Sequence, residues 1–355
     1  MTIGVRSASI VNRVFLQYLV RKIKGLLMTA ITDRITLYLT GDEFILDCRG
    51  RAFLIKKDNE EKGQKIPAMK VKDIVVVGRV TLDSRVISLC REESIPIHFF
   101  SGRWEYQGSL QFEPVKNLFI RRAQIHKHFD PHKKLEIAKS IVAGKIKNQQ
   151  SLLDKYRLGL RIECTEINAV TDLETLRGIE GATTRQYYGN FSAILKHPSF
   201  VFVRRTKRPP EDEINAMMSL IYTLLFNEIH STALLVGFDP AFGYLHDVYY
   251  GRPSLICDLL EEWRPLADRF VINLINRREV DTDDFRKETD QKGVWLNKDA
   301  YPKVIKKWHQ FFKVDEQKTN LLIQSITYQH AVERQVRLFS QHIQDDRECY
   351  KPIEL

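Results

Sequence analysis

The stretch ITLYLTGDEFILDCRGRAFLIKK, residues 35–57, holds three short runs of apolar and β-branched residues. The runs are Ile35–Thr40, Glu43–Cys48 and Arg51–Lys57, and Gly-Asp and Arg-Gly pairs separate them. Such runs, bounded by residues that favour turns, are typical of β-strands. The recognisable pattern of this chain therefore begins with a series of short strands.

Short strands continue to residue 110, with one helix among them. Residues 84–93 (SRVISLCREE) place apolar side chains at helical spacing, and the polar stretch Asp58–Gln64 predicts a loop or turn. Further strands are predicted at Asp73–Gly78, Val80–Leu82, Pro96–Phe100 and Tyr106–Leu110. Many short strands with a single helix indicate a small β-sandwich-like domain over residues 34–112.

The pattern changes to helical spacing after residues 111–118, which we interpret as a linker. Helices are predicted at Leu135–Leu153, Asp172–Phe191, Ile214–Ile229, Pro253–Trp263, Arg264–Asn276, Tyr301–Phe312 and Lys318–Gln344. The predicted fold class is α+β with two domains: a small N-terminal β-sandwich-like domain and a larger, mostly α-helical C-terminal domain over residues 113–355.

Composition narrows the class of protein. The 355 residues carry a formal net charge of +10, which favours a polyanionic partner, nucleic acid before membrane. Five scattered cysteines without a CxxC pair predict a reduced, cytoplasmic protein. The sequence has no stretch of about 18 uncharged apolar residues, so no membrane span is predicted, and it has no P-loop, GxGxxG or Ser, Cys or Thr nucleophile motif.

Residues 1–33 form a basic extension outside both domains. The first 32 residues contain no acid, and their basic residues are Arg6, Arg13, Arg21, Lys22 and Lys24. A basic amphipathic helix for a membrane, DNA or a partner is one interpretation. We prefer an upstream extension with Met28 as an alternative start, or a linker from a fused neighbour.

Two clusters of basic residues are candidates for binding phosphate. Residues 116–157 contain eleven Lys or Arg and three acids. The second cluster comprises Arg204, Arg205, Lys207 and Arg208. A charge run is usually a solvated face, but two clusters in one basic protein favour a phosphate-binding surface, which supplies affinity without reading sequence.

Glu180 is the first candidate for chemistry. Leu173 and Leu176 continue in helical phase to position 180, so this carboxylate lies on the stripe that should be buried. A buried carboxylate is protonated, paired or bound to a metal. An ion pair with a core arginine explains Glu180 as well as a metal does.

A histidine and a group of acids follow in residues 237–263. His246 lies between Gly and Pro residues that favour a loop. The next helix carries Asp258, Glu261 and Glu262 on the side opposite its apolar residues. Like charges so close repel, and either solvent or a cation relieves the repulsion. Carboxylates with a histidine suit Mg²⁺ or Mn²⁺.

Two other polar patterns have structural explanations. A polar stripe recurs every four residues on an apolar helix, and hydrogen bonding between helices explains it better than support of a site does. Its members are Asn215, Ser219, Thr223 and Asn227. The string HKHFDPH, residues 126–132, resembles a zinc site, but alternate positions on a helix do not converge on one ion.

Three long motifs resemble those of one known family. They are LRGIEGATTRQYYGNF at 176–191, RTKRPPEDEINAMMSLIYTLL at 205–225 and GFDPAFGYLHDVYYGRPSLICDLLEEWRPLADRFVINLINR at 237–277. RRAQIHKHFD, KIKNQQSLL and the pattern VVVG…ISLC…IPIHFFS match as well. From residue 34 to 355 the chain resembles the CRISPR-associated spacer-acquisition endonuclease/integrase, the universal CRISPR adaptation protein family.

The resemblance implies roles for particular residues. Glu180, His246 and Glu261 match the family's catalytic metal ligands. Asp258 matches an acidic neighbour that contacts the metal directly or through water. The cofactor would be Mg²⁺ or Mn²⁺. From the charge pattern, the candidates for contact with DNA are Arg185, Arg204, Arg205, Lys207 and Arg208, and Asn215 is the residue of the polar stripe that we name as a candidate for support of the metal ligands.

The resemblance also implies a reaction and partners. Family members form homodimers that bracket a small ferredoxin-like partner nuclease. They hold a short double-stranded DNA, the prespacer, whose 3′-hydroxyls attack the ends of a CRISPR repeat by transesterification. The α-helical domain would be the catalytic one, and the protein would work in the prokaryotic cytoplasm without a membrane partner.

Two alternatives stay open. One is a stand-alone metal-dependent nuclease that acts on branched DNA in repair or recombination. The other is a non-catalytic nucleic-acid-binding scaffold. The set of Glu180, His246 and Glu261 argues against the scaffold, because a scaffold has no use for three costly polar groups.

Overall fold

The computed structural model describes residues 34–40, 44–57, 63–102, 106–112, 118–164, 166–207, 209–287, 293–314, 316–317, 326–345 and 350–355. The extension 1–33, residues 113–117 of the expected linker, and Arg208 lie outside the described residues. A β-rich N-terminal region is followed by a mostly helical remainder, which confirms the α+β, two-domain fold. The domain boundary near residue 112 stays a prediction.

Two four-stranded sheets form the N-terminal region. The strands are β1 (Ile35–Thr40), β2 (Phe44–Cys48), β3 (Ala52–Lys57), β4 (Gln64–Pro67), β5 (Val71–Val77), β6 (Val80–Leu82), β7 (Ile97–Phe100) and β8 (Tyr106–Leu110), and helix α1 spans Ser84–Glu93. One sheet has the order β1-β5-β7-β8 and the other β4-β3-β2-β6. Strands β1 and β2 are consecutive in the chain but lie in different sheets, because β1 pairs in parallel with β5.

Strand β5 is buried on both faces. Its residues Ile74 and Val76 belong to the core of the β domain, together with apolar residues of α1. Val75 and Val77 point the other way and join the core of the helical region. A continuous apolar run is typical of a strand covered on both sides, so the DIVVVG signal reflects contact with the helical domain as well as with the second sheet.

The helical region holds nine α-helices among the described residues. They are α2 (Leu118–Phe129), α3 (Pro131–Asp154), α4 (Leu173–Gly189), α5 (Phe191–Ile194), α6 (Glu213–Val236), α7 (Ser254–Glu261), α8 (Arg264–Asn276), α9 (Ala300–His309) and α10 (Tyr328–Gln344). Two short ribbons accompany them: β9 (Phe285–Lys287) with β10 (Val294–Leu296), and β11 (Glu316–Gln317) with β12 (Ile326–Thr327).

Helix α6 is the central helix of this region and contacts α7, α8 and α10. By length and composition alone it could cross a membrane, but 67% of its most apolar window is buried inside the fold. Such burial is what a core helix requires. Its capping is regular, since Asp212 accepts a hydrogen bond from the Asn215 amide and Gly237 ends the helix at a φ of 112°.

Several predicted boundaries are corrected, and some elements were missed, among them strand β4, helices α2 and α5, and strands β9 to β12. The polar stretch Asp58–Gln64 ends one residue inside β4, an edge strand whose only buried residue is Ile66. Helix α2 was not among the helices predicted from apolar spacing, because its buried face includes the polar residues Gln124, Lys127 and His128. The predicted helix Lys318–Gln344 is observed from Tyr328 onward, and residues 318–325 lie outside the described part.

Candidate functional site

Three helices and one loop bring the candidate residues together. Glu180 lies on α4, Glu261 in the last turn of α7, and His246 in the loop that joins α6 to α7. On α3, Nζ of Lys145 contacts Oε1 of Glu180 and lies 2.6 Å from Oε2 of Glu261. His246 interacts electrostatically with Glu261. The two glutamates thus converge on one lysine, with the histidine beside them.

Glu180 is less buried than its helical phase predicts. Its side chain is 24% exposed, and it accepts a hydrogen bond from Oγ1 of Thr184 at 3.0 Å. Its ionic partner is Lys145 and not the core arginine that the sequence left open. A Cβ on Gly178 or Gly181 would meet no atom within 4 Å, so the helix surface beside Glu180 is open.

Glu261 is held as a buried carboxylate between two cations. Oε1 accepts a hydrogen bond from Nε of Arg264 at 2.9 Å. Oε2 makes no hydrogen bond within the described residues and has only the ion contact with Lys145. Burial alone would raise the pKa of Glu261, but Arg264 and Lys145 outweigh it and lower the pKa to about 2. Glu261 is therefore ionised at neutral pH.

His246 is oriented by Asp258. The fully buried Asp258 places Oδ1 2.6 Å from Nδ1 of His246 and also accepts from the His246 amide at 3.0 Å. Its Oδ2 accepts from the amides of Tyr244 and Leu245. Because Nδ1 faces a carboxylate, Nε2 is the nitrogen left for a ligand. Direct contact between Asp258 and a metal would require these bonds to break.

The loop that carries His246 rests on buried polar groups. A Cβ at Gly243 would lie 2.7 Å from Oδ2 of Asp258, so this position needs glycine. Nδ1 of His128 lies 2.6 Å from the Gly243 carbonyl oxygen, and Gln124 donates to the carbonyls of Asp239 and Phe242. His128 thus supports the loop, and the string at 126–132 does not converge on an ion.

The acidic face predicted for α7 is not solvated. Asp258, Glu261 and Glu262 are all buried, because α3 and α6 pack against α7, so of the two alternatives that the sequence left open, solvent does not cover these acids. Glu262 accepts hydrogen bonds from Gln335, Tyr350 and the Ile353 amide. Burial raises the pKa of Glu262 to about 8, although these hydrogen bonds oppose the shift.

The second basic cluster separates into an inner and an outer part. Arg204 and Lys207 are exposed. Arg205 turns inward and donates to Oδ1 of Asn215 at 2.8 Å and to Oγ of Ser219 at 3.0 Å. Asn215 also forms hydrogen bonds with the backbone of residues 204 and 206. It therefore supports this basic segment and not Glu180 or Glu261. Two members of the polar stripe therefore bind an arginine.

The basic segment nevertheless lies near the carboxylates. Lys207 interacts electrostatically with Arg264, Glu261 and Lys145, and partial desolvation together with Arg264 lowers its pKa. Arg185 is exposed on α4, little more than one turn after Glu180. Lys207 is therefore the exposed cation near the centre, Arg185 is exposed on the helix that carries Glu180, and Arg208 lies outside the described residues.

Lys145 and Arg264 are functional candidates that the sequence reasoning did not select. Lys145 was assigned to a solvated or phosphate-binding run, yet it is 3% exposed. The sequence could have indicated this burial, because position 145 continues the buried helical phase of Ile141, Asn148 and Leu152. That signal is the same one that selected Glu180.

The donor types suit a hard divalent ion. Carboxylate oxygens and an imidazole nitrogen are donors that Mg²⁺ and Mn²⁺ accept, and Oε2 of Glu261 is buried without a hydrogen bond. In the described part of the chain, no three His, Cys, Asp or Glu side chains stand close enough together to hold a metal ion. Glu180, Glu261 and His246 therefore have the donor atoms that such an ion prefers. The ammonium of Lys145 lies between the two carboxylates.

Sequence comparison identifies the family to which these residues belong. A family model described as CRISPR associated protein Cas1 matches residues 37–310. The chain belongs to the Cas1 family. Among its curated relatives, CRISPR-associated endonuclease Cas1 3 of Thermus thermophilus is 34% identical over 86% of this chain and 89% of that protein. Cas1 1 of Moorella thermoacetica is 33% identical over 90% and 97%.

Solved structures of Cas1 proteins share the fold. A CAS1 protein from Thermotoga maritima superposes with a TM-score of 0.76 and 23% identity, covering 87% of this chain and 97% of that one. The Cas6-RT-Cas1–Cas2 complex gives the same TM-score at 25% identity, over 93% of this chain and 37% of that one. A casposase bound to integration product also gives 0.76, at 21% identity over 89% and 92%.

Proposed function

We propose that this Cas1 protein is a divalent-metal-dependent DNA endonuclease and integrase that inserts short DNA fragments into a CRISPR repeat array by transesterification. One observation carries the proposal: Glu180 and Glu261 converge on Lys145, and a buried aspartate orients His246, which interacts electrostatically with Glu261. The curated relatives are named CRISPR-associated endonucleases, which supports the same activity.

The proposed ligands are Glu180, His246 and Glu261, which would hold Mg²⁺ or Mn²⁺. The bound ion would polarise the phosphodiester and stabilise the oxygens that attack and leave. Arg264 keeps Glu261 ionised, and Asp258 fixes the ring of His246 so that Nε2 is available. A 3′-hydroxyl would then attack the phosphorus and release another 3′-hydroxyl, so the number of phosphodiester bonds is conserved.

DNA would reach the centre across exposed cations and aromatic rings. Arg185, Arg204 and Lys207 are the exposed basic candidates, and they offer sequence-independent phosphate contacts. Tyr249 and Tyr250, in the loop just after His246, are 71% and 98% exposed. Exposed tyrosine rings next to basic residues suit the stacking of unpaired bases near a strand end.

The proposed assembly follows the relatives. One similar structure is the Cas6-RT-Cas1–Cas2 complex. We propose that this chain forms a homodimer and joins a small ferredoxin-like partner nuclease to hold a prespacer duplex. The proposed setting is the cytoplasm of a prokaryote, where the protein would have no membrane partner.

A strand-transfer assay tests the proposal. Purified protein, with and without the partner nuclease, is mixed with a short duplex bearing 3′-hydroxyls and a supercoiled plasmid that carries a repeat array. Mn²⁺ is compared with EDTA. We expect joining at repeat ends only with metal, and a loss of at least about 100-fold in Glu180→Ala, His246→Ala and Glu261→Ala, beyond the loss typical of groups that only support a ligand. DNA binding by these variants should be largely retained.

The matched control is Glu174→Ala, which removes an exposed carboxylate from the first turn of the same helix as Glu180. It should join DNA at the wild-type rate. Full activity in any of the three ligand variants would contradict that ligand assignment. Cleavage of branched DNA without joining, even with the partner, would favour a repair nuclease, and binding without chemistry would favour a scaffold.

A further inference from the structure

Lys145 occupies an unusual position for a lysine. The residue is 3% exposed, and its ammonium contacts one oxygen of Glu180 and one of Glu261. These carboxylates come from different helices, α4 and α7, and Lys145 comes from a third, α3. The ammonium therefore bridges two groups that belong to the proposed metal centre.

A positive charge at this point has a physical cause. Two carboxylates that converge repel each other, and burial of Glu261 with partial burial of Glu180 leaves little water to screen that repulsion. Arg264 neutralises Oε1 of Glu261 only. Within the described part of the chain, the ionic partner of Glu180 is Lys145, and Oε2 of Glu261 has no partner but the same lysine.

The lysine also explains why the candidate ligands do not form a ready metal cluster among the described residues. A divalent ion held by both glutamates would have to take the oxygens that Nζ now contacts. Lysine presents a compact, strongly hydrated charge on a flexible stem, so it can give up one partner and turn to another. An arginine fork would hold both carboxylates in a more fixed geometry.

We propose that Lys145 is a positioning residue that stands in for the metal ion. It keeps Glu180 and Glu261 together in the metal-free protein and competes with the divalent ion for both carboxylates. The proposal rests on the proposed function, because it assumes that these glutamates bind the metal. Its consequence is that the protein binds metal less tightly than the bare carboxylates would.

The consequence can be measured by replacing the lysine. Lys145→Met removes the competing charge and keeps much of the side-chain volume. Mn²⁺ should bind to this variant at least about tenfold more tightly than to the wild type, a modest effect for one unit charge at a partly screened site. In EDTA the same variant should melt at a lower temperature, because the buried Glu261 and the partly buried Glu180 lose the cation that they share. Added Mn²⁺ should raise its Tm more than that of the wild type.

The full-length protein offers a matched control. Lys147, on the same helix, is exposed and pairs with Glu354 at 2.6 Å. Lys147→Met should match the wild type in Mn²⁺ affinity by calorimetry and in Tm with and without metal. A lysine with a purely structural role would lower the Tm at position 145 but would not tighten Mn²⁺ binding. Weaker or unchanged Mn²⁺ binding by Lys145→Met would therefore overturn the inference.

A double variant covers the case in which Lys145→Met does not fold in EDTA. Lys145→Met with Glu180→Gln removes the charges of Lys145 and Glu180 together, and Glu261 keeps its ion pair with Arg264. The double variant should therefore fold and melt above the single lysine variant. A double variant that is no more stable than the single one would overturn the inference. Absence of Mn²⁺ binding in the wild type and in every variant would overturn the metal centre itself, whereas wild-type binding with no gain in Lys145→Met would overturn only the role of Lys145.

Discussion

Arg204 and Arg205 are neighbours in the sequence but have different environments. Arg204 is exposed and pairs loosely with Glu211 at 3.4 Å. The Arg205 guanidinium lies 5.2 Å from the centre of the Tyr222 ring and donates to Asn215 and Ser219. The first is free to meet a phosphate, whereas the second ties residues 204–206 to α6.

We expect substitution of these two residues to separate affinity from stability. Arg204→Ala should weaken DNA binding and flatten its dependence on log[salt] by about one unit if one phosphate contact is lost. Its free energy of unfolding should change by no more than about 0.5 kcal/mol. Arg205→Ala should instead cost about 2 kcal/mol or more, because it removes charge-assisted hydrogen bonds from buried acceptors.

Binding titrations at several salt concentrations and urea unfolding of both variants measure the two effects. An unchanged salt slope in Arg204→Ala would show that this arginine only faces solvent. Unchanged stability in Arg205→Ala would show that its contacts with Asn215 and Ser219 contribute nothing to the fold.

Sequence reasoning at the scale of single residues succeeded where a polar residue interrupts a clear apolar phase. Glu180 was singled out in this way, and the structure brings it next to Glu261. The same reasoning failed at Lys145, because a lysine in a basic run is expected in solvent. It did not predict the burial of Asp258 and Glu262, because the apolar stripe of α7 indicates one buried face of the helix. The stripe does not show that other helices pack against the opposite face as well.

Helix α3 shows how a single element can join distant parts of the chain. Its residue Asn148 donates to the carbonyl oxygens of Glu262 and Ile353, and its Oδ1 accepts from the Leu355 amide. The segment 350–355 therefore packs along α3, on the helix that also carries Lys145. Gly144 makes this close packing possible, since a Cβ there would lie 2.3 Å from Cβ of Pro352.

We expect Gly144→Ala to destabilise the protein by up to about 2 kcal/mol. Overpacking against Pro352 costs about 1–3 kcal/mol, and the better helix propensity of alanine returns about 1 kcal/mol. Gly178→Ala is the matched control, because its Cβ would meet nothing within 4 Å on α4. That variant should gain up to about 1 kcal/mol in urea unfolding. Equal changes in the free energy of unfolding for the two substitutions would mean that segment 350–355 moves away from the added methyl group at no cost.

Elements with a regular apolar period were predictable, and elements with polar buried faces were not. Helix α8 and strand β1 agree with the predicted bounds. Helix α2 was missed because Gln124, Lys127 and His128 turn inward to bind main-chain groups of other segments. Such contacts join residues far apart in the sequence, so no local pattern indicates them.

On the scale of the whole molecule, the two domains meet across a polar contact. Glu228 of α6 contacts Lys72 of β5 and lies 3.3 Å from Lys313, which also donates to Thr36 of β1. Nε2 of His98, on β7, lies 2.9 Å from Oγ of Ser231 on α6. Burial would raise the pKa of Glu228, but Lys313 and Lys72 outweigh it and lower the pKa to about 2.

Two histidines at this contact make it sensitive to acid. Burial, and the neighbouring His98, lower the pKa of His230 to about 4, and burial also lowers the pKa of His98. A histidine with a lowered pKa binds fewer protons when folded than when unfolded. Its contribution to stability is complete above about pH 6.5 and is lost as the pH falls toward its folded pKa. Asp73 and Lys72 are the charged groups that face His98 most directly.

We therefore expect the contribution of these two histidines to the free energy of unfolding to fall between pH 7 and pH 5, while Glu262, whose pKa is raised to about 8, works in the opposite direction over the same interval. One proton accounts for at most about 1.4 kcal/mol per pH unit. His230→Gln should lose less stability than the wild type over this interval, whereas His132→Gln, an exposed control, should behave like the wild type. Urea unfolding at both pH values measures the difference. Equal losses in all three proteins would show that His230 does not couple the contact to pH.

The polar contact between the domains also bears on how the chain is synthesised. The strand that completes the β sandwich ends at Leu110, while Glu228 and Lys313 leave the ribosome long afterwards. N-terminal domains generally fold first during synthesis. The newly made sandwich would then present Lys72, Asp73 and His98 to water along part of the face that α6 later covers. A charged, hydrated surface resists aggregation in the interval before α6 is synthesised, whereas a fully apolar face would promote it.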